Sequence, residues 1–127
     1  MRTLLIVDDE HSVRISLKAV FETQYRLLVA ENGKAALRLA EEEGPDIALV
    51  DLMMPGISGL DLIPQLKAID PHVVIVVLSA MNDVESVVKA VRLGAAHYLT
   101  KPFDVNEVRL LVQMALREAE KSVGLSA

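Results

Sequence analysis

The sequence predicts a doubly wound α/β fold: a parallel five-stranded sheet with helices on both faces. Two observations carry this. Short apolar runs of strand length alternate with segments of helical periodicity along the whole chain. The runs are also continuous in Leu, Ile and Val, with no polar residue at every second position. That is the pattern of strands buried on both sides.

The strands are expected at TLLIV (3–7), RLLVA (26–30), DIALV (46–50), VVIVVL (73–78) and HYL (97–99). The first helix shows a stripe of Val13, Leu17, Val20 and Phe21. The second shows Ala36, Leu37 and Ala40, opened by Asn32-Gly33 and closed by Gly44-Pro45. Ser58 is a candidate N-cap for the third, whose stripe is Leu62, Leu66 and Ile69. Pro64 falls inside that helix, where Pro costs about 3 kcal/mol, so a kink or a late start is expected. Val84, Val87, Val88 and Val91 form a fourth stripe that ends at Gly94. Val108, Leu111, Val112, Ala115 and Ala119 form the last, with Asp104 and Glu107 spaced as a capping box. One domain over residues 1–121 is expected, with a short tail at 122–127 whose final GLSA frays.

Composition narrows the function. The 127 residues hold 18 acids against 13 bases, a net charge of −5, which argues against nucleic-acid binding through a basic face. Aromatic residues make up 3% and Trp is absent, so base-stacking platforms are not expected. The absence of Cys removes disulfides and thiolate metal sites. No apolar run approaches the roughly 20 residues that span a bilayer, and a cytoplasmic setting with no membrane contact is expected.

In open parallel sheets, ligands bind beyond the carboxyl ends of the strands. Strand one ends on Asp8 and Asp9, strand three on Asp51, strand four on Ser79, and strand five on Thr100 and Lys101. Adjacent like charges oppose one another unless a cation sits among them. Oxygen ligands without His or Cys suit Mg²⁺, Mn²⁺ or Ca²⁺, and Mg²⁺ typically shares a phosphate. Lys101 is the natural anchor for that phosphate. Asp51 stands alone on the middle strand and is the candidate nucleophile, with Ser79 donating a hydrogen bond to a phosphoryl oxygen.

The order IVDDE, LVDLMMPGISG, VLSA and YLTKPF resembles the receiver domain of two-component response regulators, over residues 3 to 118. The resemblance implies a flavodoxin-like strand order of 2-1-3-4-5. It implies Asp51 as phosphoacceptor, charged by a histidine kinase or a histidine phosphotransfer protein. Asp9 would ligate Mg²⁺ (or Mn²⁺) directly, Asp8 mostly through water, and Met53 through its backbone carbonyl. Lys101 would pair with the phosphoryl group ahead of a typically cis peptide to Pro102. Ser79 and Tyr98 would be the switch hydroxyl and switch aromatic, whose movement reshapes the face of the fourth helix, fifth strand and fifth helix.

On this reading the domain assists its own phosphorylation and slow hydrolysis and turns over no outside substrate. The competing reading is a degenerate receiver that binds partners without phosphorylation. A haloacid dehalogenase phosphatase would need a second Asp where Met53 stands. An FMN carrier would need a phosphate loop where DDEH stands. Met53 and Met81 lie where the family borders the path of hydrolytic water, and two apolar side chains there are expected to slow hydrolysis. Leu110 and Met114 add a second apolar line to the last helix, which points to a homodimer or an effector docking there. The ending LTKPFDVNEVRLLVQMAL resembles receivers that precede an ATPase domain in transcriptional activators.

Overall fold

The computed structural model describes residues 1–126, with side chains described through Lys121. The expected tail at 122–127 lies outside the residues with described side chains.

Among the described residues five strands and five helices alternate: β1 (Thr3–Val7), α1 (His11–Phe21), β2 (Arg26–Ala30), α2 (Gly33–Glu43), β3 (Ile47–Asp51), α3 (Gly59–Ile69), β4 (Val74–Ala80), α4 (Val84–Arg92), β5 (His97–Lys101) and α5 (Val105–Ser126). All four strand pairings are parallel, in the order β2-β1-β3-β4-β5. The doubly wound sheet expected from the sequence is the one observed. Three strands run later than their apolar runs indicated. β3 includes Asp51, β4 continues through Ser79 to Ala80, and β5 through Thr100 to Lys101. Polar residues end an apolar run in the sequence, but they do not end a backbone ladder.

The two-residue period of the strands sorts the core into two layers. Leu5, Val7, Ala48, Val50, Ile75 and Val77 face α2, α3 and α4, where Ala36, Leu62, Ile63 and Leu66 meet them. Leu4, Ile6, Leu49, Val76, Leu78 and Leu99 face α1 and α5, where Leu17, Phe21, Val108 and Val112 meet them. Each helix needs an apolar stripe on one side only, and both faces of the sheet are covered.

Local chemistry sets the helix ends. Asn32, Ser58 and Asp83 accept hydrogen bonds from the backbone N–H groups of Ala35, Asp61 and Ser86. Gly44 closes α2 in the left-handed conformation at φ +57°. Asp104 accepts from the Glu107 N–H at 3.3 Å, which is one half of the expected capping box.

Two expectations need correction. α3 does not start late: its first residue follows the Ser58 cap directly, and Pro64 sits on the exposed side inside the helix. Ser58 caps this early start by accepting from the Asp61 N–H. The valine stripe of α4 meets the core only through Val87. Val84, Val88 and Val91 are exposed, Val87 is half-buried, and Ala90 is the buried residue of the helix. A small residue at the contact lets α4 lie close to the sheet, and the valines are left on the outer side. Among the described residues no helix is long and apolar enough to cross a membrane.

Candidate functional site

The parallel register builds the site. Val7 lies opposite Val50, so the next residues outward, Asp8 and Asp51, stand side by side at the carboxyl edge of the sheet. Both are buried, with Asp8 0% and Asp51 4% exposed. Asp9 follows Asp8 on the exposed turn. Carboxylate oxygens of Asp8, Asp9 and Asp51 lie within 4.8 Å of one another. Ser79 pairs with Thr100, and Ala80 with Lys101, which carries β5 to the same edge.

Lys101 is the cation of the cluster. Its Nζ lies 2.8 Å from Asp8 Oδ2, 3.2 Å from Glu10 Oε1 and 3.4 Å from Asp51 Oδ2. The contact with Asp8 is an ion pair outside hydrogen-bond geometry, so the buried Asp8 Oδ2 has no hydrogen-bond partner. Burial opposes the lysine's charge, but the contacts with Asp8, Asp51 and Glu10 outweigh it and hold Lys101 above its ordinary value. The Lys101–Pro102 peptide is cis.

Asp51 is the most perturbed acid. Burial and the neighbouring Asp8 charge push it up to about 7, against the hydrogen bond from the Met53 N–H and the charge of Lys101. The Met53 N–H donates to Asp51 Oδ1 at 3.1 Å, which orients the carboxylate. Gly59 makes the tight approach behind it: a Cβ there would stand 2.3 Å from the Asp51 carbonyl oxygen and 2.5 Å from Leu52 Cα. Only glycine lets the start of α3 press this closely on the backbone that carries Asp51.

The remaining residues singled out in the sequence are placed as follows. Ser79 is buried, and its Oγ donates to the Leu99 carbonyl at 3.5 Å, toward β5 rather than Asp51. Tyr98 is 53% exposed. Met53 and Met81 are both exposed, and Met53 follows Asp51 by two residues. Leu110 and Met114 are exposed on α5.

Sequence reasoning missed two contacts. Arg14 Nη1 donates to the Asp8 carbonyl at 2.7 Å, tying α1 to the site. Glu10 shares Lys101 through its side chain, and its backbone N–H donates to Asp8 Oδ1 at 2.9 Å. Glu10 stood in the acidic run all along. Beyond the end of a strand, however, alternation no longer tells which way a side chain points.

A family model described as "Response regulator receiver domain" matches residues 4–113. The chain belongs to that family. Over 114 residues it is 34% identical to Sporulation initiation phosphotransferase F of Bacillus subtilis, covering 89% of this chain and 92% of that protein. It is 35% identical to the DNA-binding transcriptional regulator NtrC of Azospirillum brasilense over 126 residues, covering 98% of this chain but 26% of the relative. A crystal structure of a CheY-like response regulator receiver domain protein from Methanospirillum hungatei JF-1 superposes with a TM-score of 0.91 at 25% identity, covering 96% and 98% of the two chains. The chain thus spans nearly all of one relative and about a quarter of another.

A receiver domain of this family is associated with Mg²⁺, and the residues present fit such an ion. The donors are carboxylate oxygens, hard ligands of the kind Mg²⁺ takes. Three acids face one ammonium, so the cluster keeps a negative charge that a cation would offset.

Proposed function

We propose that this domain, residues 1–121, is a phosphorylation-activated switch with Asp51 as the phosphoacceptor. The observation that carries the reading is the convergence of Asp51, Asp8, Asp9 and Lys101 at the carboxyl edge of the sheet. In the reaction an Asp51 Oδ attacks the phosphorus of a phosphohistidine. An O–P bond forms, the P–N bond breaks, and the imidazole nitrogen leaves with the electron pair. Asp8, Asp9, Asp51 and the Met53 carbonyl would hold Mg²⁺, which supplies charge neutralisation for the transferring group.

The chain's own residues do the rest. The Met53 N–H holds Asp51 in place. Lys101 gives its charge to the phosphoryl oxygens, and Ser79 Oγ turns from the Leu99 carbonyl to donate to one of them. Tyr98 then turns in from its exposed position, and the face of α4, β5 and α5 changes by population shift. The partners are a histidine kinase or histidine phosphotransfer protein on the input side. On the output side a homodimer or an effector docks through α5. The relative named as a phosphotransferase supports the transfer reading, and the one named as a transcriptional regulator supports an output in a longer protein. We place the domain in the cytoplasm and assign it no outside substrate.

Intact mass after incubation with acetyl phosphate, with and without Mg²⁺, tests this for wild type and Asp51→Asn. The expected result is a Mg²⁺-dependent gain of about 80 Da, one phosphoryl group on a carboxylate, absent in the variant. No gain under any condition would replace the switch with a phosphorylation-independent binding module.

A further inference from the structure

Lys101 is shared among three carboxylates, and they are not equivalent. Asp8 and Asp51 are buried in the sheet edge and cannot leave it. Glu10 lies on the turn after β1 with its side chain 57% exposed, and its contact with the lysine is 3.2 Å. We propose that Glu10 is a positioning residue that occupies Lys101 in the resting domain and must yield it to an incoming phosphoryl group, so that it sets how readily the site accepts anionic phosphodonors. This rests on the reading of Asp51 as phosphoacceptor.

Three features favour a competitor over an incidental surface pair. The backbone of Glu10 is anchored, because its N–H donates to Asp8 Oδ1, so its side chain starts from a fixed point beside the lysine. Among the described residues, Lys101 is the only cation within ion-pair distance of Glu10. The pair also lines an open groove bordered by Ser12, Val13 and Phe103, which gives a released carboxylate room to turn into solvent.

The energetics point the same way. An exposed carboxylate regains water when it leaves its partner, so its release costs little, whereas withdrawing Lys101 from Asp8 would strip a buried charge. Until it moves, Glu10 also adds a negative charge at the entrance, where a phosphate dianion must pass.

The test uses the full chain with Glu10→Gln and Glu10→Asp. Gln keeps the size and removes the charge. Asp keeps the charge but is one methylene too short for the observed contact. The first readout is the affinity of the metal-free protein for inorganic phosphate, followed by the NMR shift of the Lys101 amide. The second is the initial rate of Mg²⁺-dependent phosphorylation by acetyl phosphate at low and high salt.

For Glu10→Gln we expect phosphate to bind about fivefold tighter and the rate to rise about fivefold at low salt. Both gains should shrink at high salt, where the charge is screened. Glu10→Asp should bind phosphate more tightly than wild type but less tightly than Gln, since it frees the lysine and keeps the charge at the entrance. Phosphate affinity unchanged in the Gln variant overturns the inference, and so does an Asp variant that matches wild type. Should no variant and no wild type become phosphorylated, the Asp51 reading fails, and the phosphate titration still decides the role of Glu10.

Discussion

Lys101 and Asp8 make the closest charge contact of the pocket, with Nζ 2.8 Å from Oδ2, while Asp51 Oδ2 stands further off at 3.4 Å. The lysine thus compensates the more deeply buried acid first. Replacing it leaves both carboxylates without a counter-charge, and removing one partner of a buried pair is strongly destabilising. Lys101→Met is expected to lower the unfolding free energy by about 2–4 kcal/mol in EDTA at pH 8. Saturating Mg²⁺ should recover much of this, because an ion held at the proposed site would supply charge at the same carboxylates. Urea unfolding with and without Mg²⁺ measures both. An unchanged midpoint in EDTA would show that the lysine does not compensate these acids.

Asp51 gives stability a pH dependence of definite sign. In the unfolded chain it titrates near 3.8, and in the folded domain near 7. Between those values the folded state holds a proton that the unfolded state has lost. This contribution therefore falls as pH rises through the window and is lowest above about 7. Asp51→Asn removes the penalty. The variant should be about 1–3 kcal/mol more stable than wild type at pH 8 in EDTA, with the gap closing toward pH 4. Thermal melts across this range check it, and a gap that does not vary with pH would reject the coupling.

Met53 and Met81 stand 66% and 64% exposed, and the Met53 N–H donates to Asp51. Neither thioether can hold water by a strong hydrogen bond. Asn at position 53 offers both a donor and an acceptor to a water molecule near the acyl phosphate. Met53→Asn is therefore expected to speed loss of the phosphoryl group about tenfold, a barrier change of about 1.4 kcal/mol. The decay of the phosphorylated mass after the donor is removed provides the rate. An unchanged lifetime would mean that the methionine does not control access of water.

Much of this architecture could be read from the sequence because burial on both faces of the sheet leaves no choice of side. Leu49 and Val50 point to opposite layers, and both layers are apolar. The acids were legible for a related reason: Asp8 and Asp51 each follow an apolar run directly, so any parallel pairing brings them to one edge. Three things were not legible. Ladders continue past apolar runs, as in β4 through Ala80. Turn residues have no fixed direction, so the contact of Glu10 with Lys101 stayed hidden. A helical stripe shows that a helix is two-sided without showing which side meets the sheet, and in α4 the buried contact is Ala90.

That inversion in α4 makes a stability prediction. Val91 is 50% exposed, although its spacing from Val84 and Val88 reads as a core stripe. If the stripe faces solvent, Val91→Lys loses little buried area and should change the unfolding free energy by no more than about 0.5 kcal/mol. Val112 on α5 provides the contrast. It is fully buried against β4 and β5, and Val112→Ala should cost about 1.5–3 kcal/mol through lost apolar burial and the cavity left behind. Urea unfolding of the two variants in the same buffer compares them directly. A Val91 variant as damaged as the Val112 variant would place the valine face of α4 against the sheet after all. Near-neutral behaviour would leave Val84, Val88 and Val91 as an apolar strip held in water.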